Sequence, residues 1–244
     1  LELRRRLMLA VAVFLLCSGV SYFFADSVYE FLVTPLAEVL AEQGGDRRLI
    51  YTGLGEAFIT YMKLAFFTGG FIAFPFLAMQ LWRFVAPGLY ANEKRALLPF
   101  LVATPVLFLT GAAFVYYLIL PLAWKFFVGF ENLSPANGLP IQLEARVSEY
   151  LGLVMSMIFA FGFCFQLPVL LAVMARAGMI DAAMLRRKRR YMIRVIFILA
   201  AVITPPDVIS QCLLAVPMLL LYEVSILWIA RGNAQKLDAS PETP

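Results

Sequence analysis

Apolar positions in this chain neither alternate nor recur on one face; they run together. Mostly apolar stretches cover about residues 7–24, 57–82, 96–122, 150–175, 191–204 and 208–230, with polar segments between them. Runs near 20 residues are the length of a helix that crosses a bilayer. Barrel strands would instead alternate polar and apolar positions. The pattern therefore predicts an all-α, polytopic membrane protein with six transmembrane helices.

The polar segments supply the punctuation. Residues 25–56 carry Asp26, Glu30, Glu38, Glu42, Asp46 and Glu56. Within them, Thr34-Pro35 reads as an N-cap followed by proline at the first helical position, and Gly44-Gly45 as the stop of that short helix. Gly69, Gly70 and Pro75 predict close packing and a bend inside the second span. Residues 83–95 read as a short loop. Ser134-Pro135 and Asn137-Gly138 mark turns in a second polar loop, 123–149. The fourth span holds Gln166 and Pro168. Pro205-Pro206-Asp207 turns the fifth span into the sixth. The fifth and sixth spans are expected to be short: residues 191–204 rise only about 21 Å as a helix, against a hydrocarbon core of about 30 Å. Residues 1–230 are read as one six-span domain and 231–244 as a disordered cytoplasmic tail.

Composition agrees with the pattern. Of 244 residues, 62% are hydrophobic and 15% charged, and the mean hydropathy is +0.85. No small-residue cleavage site follows the first apolar run, so it is not read as a signal peptide. The chain begins at Leu1 rather than methionine, and a native start upstream is expected. Histidine is absent, which removes histidine-based triads, histidine–zinc sites and histidine-ligated haem. Cys17, Cys164 and Cys212 lie in apolar runs without metal-ligand spacing and read as small core residues. No metal site and no cofactor are expected.

A net charge of +4 is explained by topology rather than by nucleic acid. Arg4, Arg5, Arg6, Arg83, Lys94, Arg95, Arg176, the 186–190 cluster, Arg231 and Lys236 fall on one side of a six-span layout; Arg47, Arg48, Lys125 and Arg146 fall on the other. The positive-inside rule then puts both termini in the cytoplasm. The 186–190 cluster reads as a topology anchor that meets anionic lipid.

Two acids stand out on the basic side. Glu2 is followed by Arg4, Arg5 and Arg6, and Glu93 by Lys94 and Arg95. Carboxylates match the planar guanidinium in bidentate fashion, so a pair of them suits an arginine-bearing peptide. The plainer reading is that both sit near helix N-termini, where an acid favours the helix dipole. Convergence requires that the first and third spans pack together. Glu223, inside the sixth span, must pair, face protein or be protonated; a packed interhelical hydrogen bond is favoured over a proton relay. Pro168 frees the carbonyl of Cys164, and Gln166 either supports that kink or lines a groove. Asp207, with Thr204 and Gln211, reads as a capped turn or a partner contact.

At this point the residues meet a family. Leu1-Glu2-Leu3-Arg4-Arg5-Arg6-Leu7 resembles the N-terminal motif of the TatC family, the multi-span subunit of the twin-arginine protein translocase. Phe84-Val85-Ala86-Pro87-Gly88-Leu89-Tyr90, then Glu93-Lys94-Arg95, is similar to its first cytoplasmic loop. Leu185-Arg186-Arg187-Lys188-Arg189-Arg190-Tyr191 is similar to its second, and Thr204-Pro205-Pro206-Asp207-Val208-Ile209-Ser210-Gln211 to its turn between spans five and six. The resemblance implies a receptor that binds twin-arginine signal peptides of folded precursor proteins and helps move them across the bacterial inner membrane on the proton-motive force. It implies signal-peptide binding by Glu2, Glu93, Arg4, Phe84, Pro87, Leu89 and Tyr90. Gln166 and Pro168 are implied at a signal-peptide groove or kink. Thr204, Asp207, Gln211 and Glu223 are implied at contacts with single-span partner subunits of the TatA and TatB type, and Pro35 in a sensitive periplasmic loop. An oligomer within a translocase complex, bathed by membrane lipids, is implied too. Where this chain has Gln166 many relatives carry glutamate, so only a hydrogen-bonding role carries over there. The family motif also starts with a histidine upstream of Leu1.

No nucleophile with a base and no nucleotide motif is present, so the chain is not expected to be an enzyme. A secondary transporter of a small solute is the alternative. It would be expected to show repeated halves with midplane polar sites, and no convincing repeat is visible.

Overall fold

The computed structural model describes residues 2–43, 48–89, 98–131, 144–203 and 208–238. The helices, in order, are α1 (Glu2–Tyr22), α2 (Ala25–Gln43), α3 (Glu56–Leu89), α4 (Leu98–Phe114), a π-helical turn (Val115–Ile119), α5 (Leu120–Val128), α6 (Val147–Cys164), α7 (Leu167–Arg176), α8 (Ala182–Ile203) and α9 (Val208–Asp238). The six predicted stretches are helical where they are described, except for short breaks at 23–24 and 165–166. Glu56–Arg83, Phe100–Val128, Val147–Arg176 and Gln211–Arg231 are each long and apolar enough to cross a membrane, and Leu3–Tyr22 with Ala25–Glu42 forms a further, bent pair at 80°. In α8 the mostly apolar part is residues 191–203, short as expected and interrupted by Arg194, and the cations 186–190 precede it. The apolar stretch of α9 is 21 residues long, about 31 Å as a helix. Large apolar side chains are exposed along these helices, among them Leu16, Ile72, Val202 and Leu220. Such surface belongs against lipid. The protein is an all-α, multi-pass membrane protein.

The chain forms two compact units, Leu1–Leu97 with Ala112–Phe159, and Leu98–Gly111 with Ala160–Pro244. In the first unit α1 runs antiparallel along α3. A Cβ at Gly69 would lie 2.5 Å from the backbone N and Cα of Ser18, so only glycine lets the two backbones approach this closely. Phe14 stacks on Phe66, with ring centroids 6.0 Å apart, in the same seam.

α2 corrects one expectation. It starts at Ala25, with Asp26 in its first turn, and Pro35 lies inside it rather than at its start. Thr34 is not an N-cap; its hydroxyl donates back to the carbonyl of Glu30 at 2.8 Å. Proline at 35 has no N–H for the carbonyl of Phe31. The Tyr116 hydroxyl supplies the donor instead, at 2.7 Å, with the rings of Phe31 and Tyr116 stacked 4.3 Å apart. Tyr150 donates to the next carbonyl, Leu32, at 2.8 Å. Between the two polar segments, Ile50 N–H donates to Ala145 and Val147 N–H to Ile50. The Glu56 carboxylate accepts from the N–H groups of Thr52 and Gly53 and from the Ser148 hydroxyl.

In the second unit α8 packs on α9 through Leu185, Ile196 and Ala200 on one side and Leu214, Met218 and Tyr222 on the other, all buried. Tyr222 donates to the carbonyl of Leu185 at 2.8 Å. Gly178, at φ +73°, ends α7 in a left-handed turn, and Met179 N–H closes it on the carbonyl of Met174. Asp181 then caps α8 by accepting from Met184 N–H. The 186–190 cluster is therefore helical and not a loop.

Candidate functional site

The basic end of the α1–α3 pair is where the expected recognition residues gather. Ser18 faces Gly69, Phe14 faces Gly70, and Arg5, Arg6 and Leu9 share a cavity with Gln80 and Arg83. Carried on by one turn, that register sets the backbone of Glu2 level with residues 84–89. Those residues continue α3 as helix, so Phe84, Pro87 and Leu89 stand on helical backbone and not in a loop. Arg4 is exposed on the first turn of α1. Tyr90 and Glu93 lie outside the described residues. The packing that brings Glu2 toward this segment is with the second predicted span, α3; the sequence reading had looked to the third.

This end is strongly positive. Arg4, Arg5, Arg6 and Arg83 surround it, and the N-terminus of α1 adds a partial positive charge. A cationic ligand gains nothing from that field. It needs carboxylates placed for direct, bidentate contact.

At the break between α6 and α7, Gln166 N–H donates to the carbonyl of Phe163 rather than to that of Gly162. The Gln166 side-chain amide takes over, donating to Gly162 at 3.4 Å and to the carbonyl of Thr104 at 2.9 Å. Gln166 thus supports the kink that Pro168 imposes. Its Oε1 is buried with no partner.

Glu223 is paired with Arg189 at 2.7 Å, each side chain more than a third exposed. The pair joins α8 to α9, and it answers the cost of a carboxylate within the last helix. The amide of Gln211 donates to the carbonyl of Phe197 at 3.0 Å, a second tie between the same helices. Thr204 and Asp207 lie outside the described residues.

Sequence reasoning missed Tyr116, Tyr150, Arg189 and Asp181. The first three act across 85, 118 and 34 residues, which no local pattern reveals. Asp181 was legible, because a glycine three residues before an aspartate is the spacing of a helix stop followed by an N-cap.

Long apolar helices with large apolar side chains exposed along them, and one basic end carrying an acid-and-arginine motif, mark a multi-pass membrane protein. The family profile described as "Sec-independent protein translocase protein (TatC)" matches residues 1–217. The chain is 45% identical over 236 residues to a "Sec-independent protein translocase protein TatC" of Magnetococcus marinus, covering 97% of this chain and 83% of that protein. It is 44% identical to its counterpart in Rickettsia prowazekii, covering 93% and 89%. The structure described as "Crystal Structure of Twin Arginine Translocase Receptor- TatC" superposes with a TM-score of 0.78 at 38% identity, over 93% of this chain and 95% of that one. The chain belongs to the TatC family, and is a core subunit of the Sec-independent, twin-arginine translocase.

Proposed function

We propose that this subunit is the receptor that binds twin-arginine signal peptides of folded precursor proteins at the cytoplasmic face of the bacterial inner membrane. Glu2 and Glu93 accept the two guanidinium groups. Arg4, Phe84, Pro87, Leu89 and Tyr90 shape the contact. The observation that carries the reading is the antiparallel seating of α1 on α3, which sets Glu2 level with the end of the helix that leads to Glu93. Both termini face the cytoplasm, because the cations of each unit gather at one end: Arg4, Arg5, Arg6 and Arg83 in the first, and Arg176, the 186–190 cluster and Arg231 in the second. Gln166 and Pro168 face the apolar part of the signal peptide. Thr204, Asp207, Gln211 and Glu223 meet single-span subunits of the TatA and TatB type, and Pro35 belongs to the periplasmic cap of the first unit. The proton-motive force drives transport.

The test is photocrosslinking in native membranes from a probe beside Glu93, with a twin-arginine precursor and its twin-lysine version. Crosslinks to the first alone support the receptor. Equal crosslinking of both reduces the contact to nonspecific electrostatics. Failure of both, in membranes that hold the partner subunits, sinks the reading and returns the solute transporter to consideration.

A further inference from the structure

The buried face of α8, Leu185, Ile196 and Ala200, lies on α9, and Arg189 is turned the same way to pair with Glu223. Arg187, Arg190 and Arg194 are exposed. At about 100° per residue they fall within about 60° of one another, on the side away from α9. Among the described residues, none of the three forms an ion pair.

Arg194 is the informative member. It stands inside the mostly apolar part of the helix, 191–203, where a bare guanidinium is costly. Helical side chains lean back toward the N-terminus, and Arg194 lies over the ring of Tyr191, 5.5 Å from its centroid. That carries its charge back toward the level of Arg190 and Arg187. Ile198 and Val202, one and two turns further on, continue that side of the helix and are exposed. The side is therefore cationic at one end and apolar at the other.

That order selects the occupant. Orienting a span by charge needs no particular face, and the five cations at 186–190 suffice for it. A free anion has no use for Ile198 and Val202, and an acidic protein segment would leave them uncovered. A phospholipid presents phosphate and chains in the same order, and the arginine fork matches phosphate oxygens. A zwitterionic headgroup brings an ammonium into the cationic end, so an anionic one is favoured.

We propose that Arg187, Arg190 and Arg194 hold the phosphate of one anionic phospholipid, its chains lying along Ile198 and Val202. The headgroup neutralises Arg194 and sets the depth of this short helix. The site lies apart from the proposed signal contact and from the Arg189–Glu223 pair.

Native mass spectrometry of the full chain, released from nanodiscs of phosphatidylethanolamine and phosphatidylglycerol, tests this. One phosphatidylglycerol per chain should survive activation that strips the rest. Arg190→Gln and Arg194→Gln should each lower its retention about tenfold, the worth of a charge-assisted hydrogen bond. Lys188→Gln removes an equal charge about 120° around the helix from Arg194 and should lower it by about twofold at most. Arg194→Lys, which keeps the charge and loses the fork, should fall between, and it serves where glutamine lowers the thermal midpoint. Parent-like retention in both glutamine variants overturns the proposal. So does an equal loss in Lys188→Gln, which reduces the contact to a diffuse field. Equal retention of phosphatidylcholine, or displacement by excess inorganic phosphate or by a polyglutamate peptide, overturns it as well.

Discussion

Gly69→Ala puts a methyl group where α1 already stands. The added Cβ would lie 2.3 Å from Ser18 Oγ and 2.5 Å from Ser18 N and Cα. Carbon contacts are comfortable only from about 3.5 Å, so the helices must part locally by about 1 Å. The Ser18 hydroxyl is tied to the carbonyl of Phe14 at 2.8 Å, and the backbone atoms cannot rotate aside at all. Overpacking of this kind costs about 1–3 kcal/mol, while alanine returns up to about 1 kcal/mol of helix propensity. Gly152→Ala is the matched reference. It lies within α6 with nothing inside 4 Å of its Cβ position, so it takes the propensity gain without the overlap. The difference between the two variants should be about 2 kcal/mol. In detergent, followed by loss of helical circular dichroism, that is an apparent midpoint about 4–8 °C lower for Gly69→Ala. Adding Ser18→Gly removes only the hydroxyl contact and should restore less than half of the loss. Equal midpoints for Gly69→Ala and Gly152→Ala would refute the close seating of α1 on α3, and with it the structural support for bringing Glu2 to the end of α3.

Three further outcomes follow from the same geometry. Tyr116→Phe should cost about 1 kcal/mol, since the carbonyl of Phe31 loses the donor that stands in for Pro35; adding Pro35→Ala, which restores an N–H, should recover part of it, and strictly additive midpoints would reject the link. Gln166→Ala should lower stability by about 1–3 kcal/mol, because the carbonyls of Gly162 and Thr104 are left with one donor fewer; on the proposed groove role it should also change the insertion depth of a signal peptide more than its docking, and equal effects on both steps would discard that role. Glu93→Gln should weaken a labelled twin-arginine peptide by about tenfold or more in fluorescence anisotropy, and the parent's affinity should fall as salt rises; unchanged binding removes Glu93 from the contact.

How much was legible depended on distance along the chain. The spans were visible because membrane-length apolar runs are local. α8 was cut short because five consecutive cations outweighed a signal that was present, the left-handed stop at Gly178 followed by the cap at Asp181. Thr34-Pro35 was misread for a different reason. As a dipeptide it is a helix start, and only a tyrosine 85 residues away lets the helix run through it. At the candidate site the motif points to Glu2 and Glu93, but not to the helix that the first turns of α1 lie beside. That is decided by the register of α1 on α3, which a glycine at 69 opposite a serine at 18 fixes and which no single-chain pattern encodes.

The prolines inside the helices suggest a rule that ties fold to function. A proline in a helix leaves a carbonyl without its donor, and in a membrane no water replaces it. Here the replacements come from the protein. Tyr116 serves the carbonyl freed by Pro35. Gln166 serves Gly162 at the break before Pro168. At Pro35 and at the break before Pro168 the backbone is therefore held by a specific side-chain donor. On the proposed function, carboxylates presented to a planar, bidentate ligand need a backbone held this way, because misplacement by about 1 Å is enough to spoil such a contact. Variants at the donors should then loosen recognition without touching Glu2 or Glu93. A Tyr116→Phe chain that binds the twin-arginine peptide as tightly as its parent, yet unfolds earlier, would confine the donors to stability and break that link.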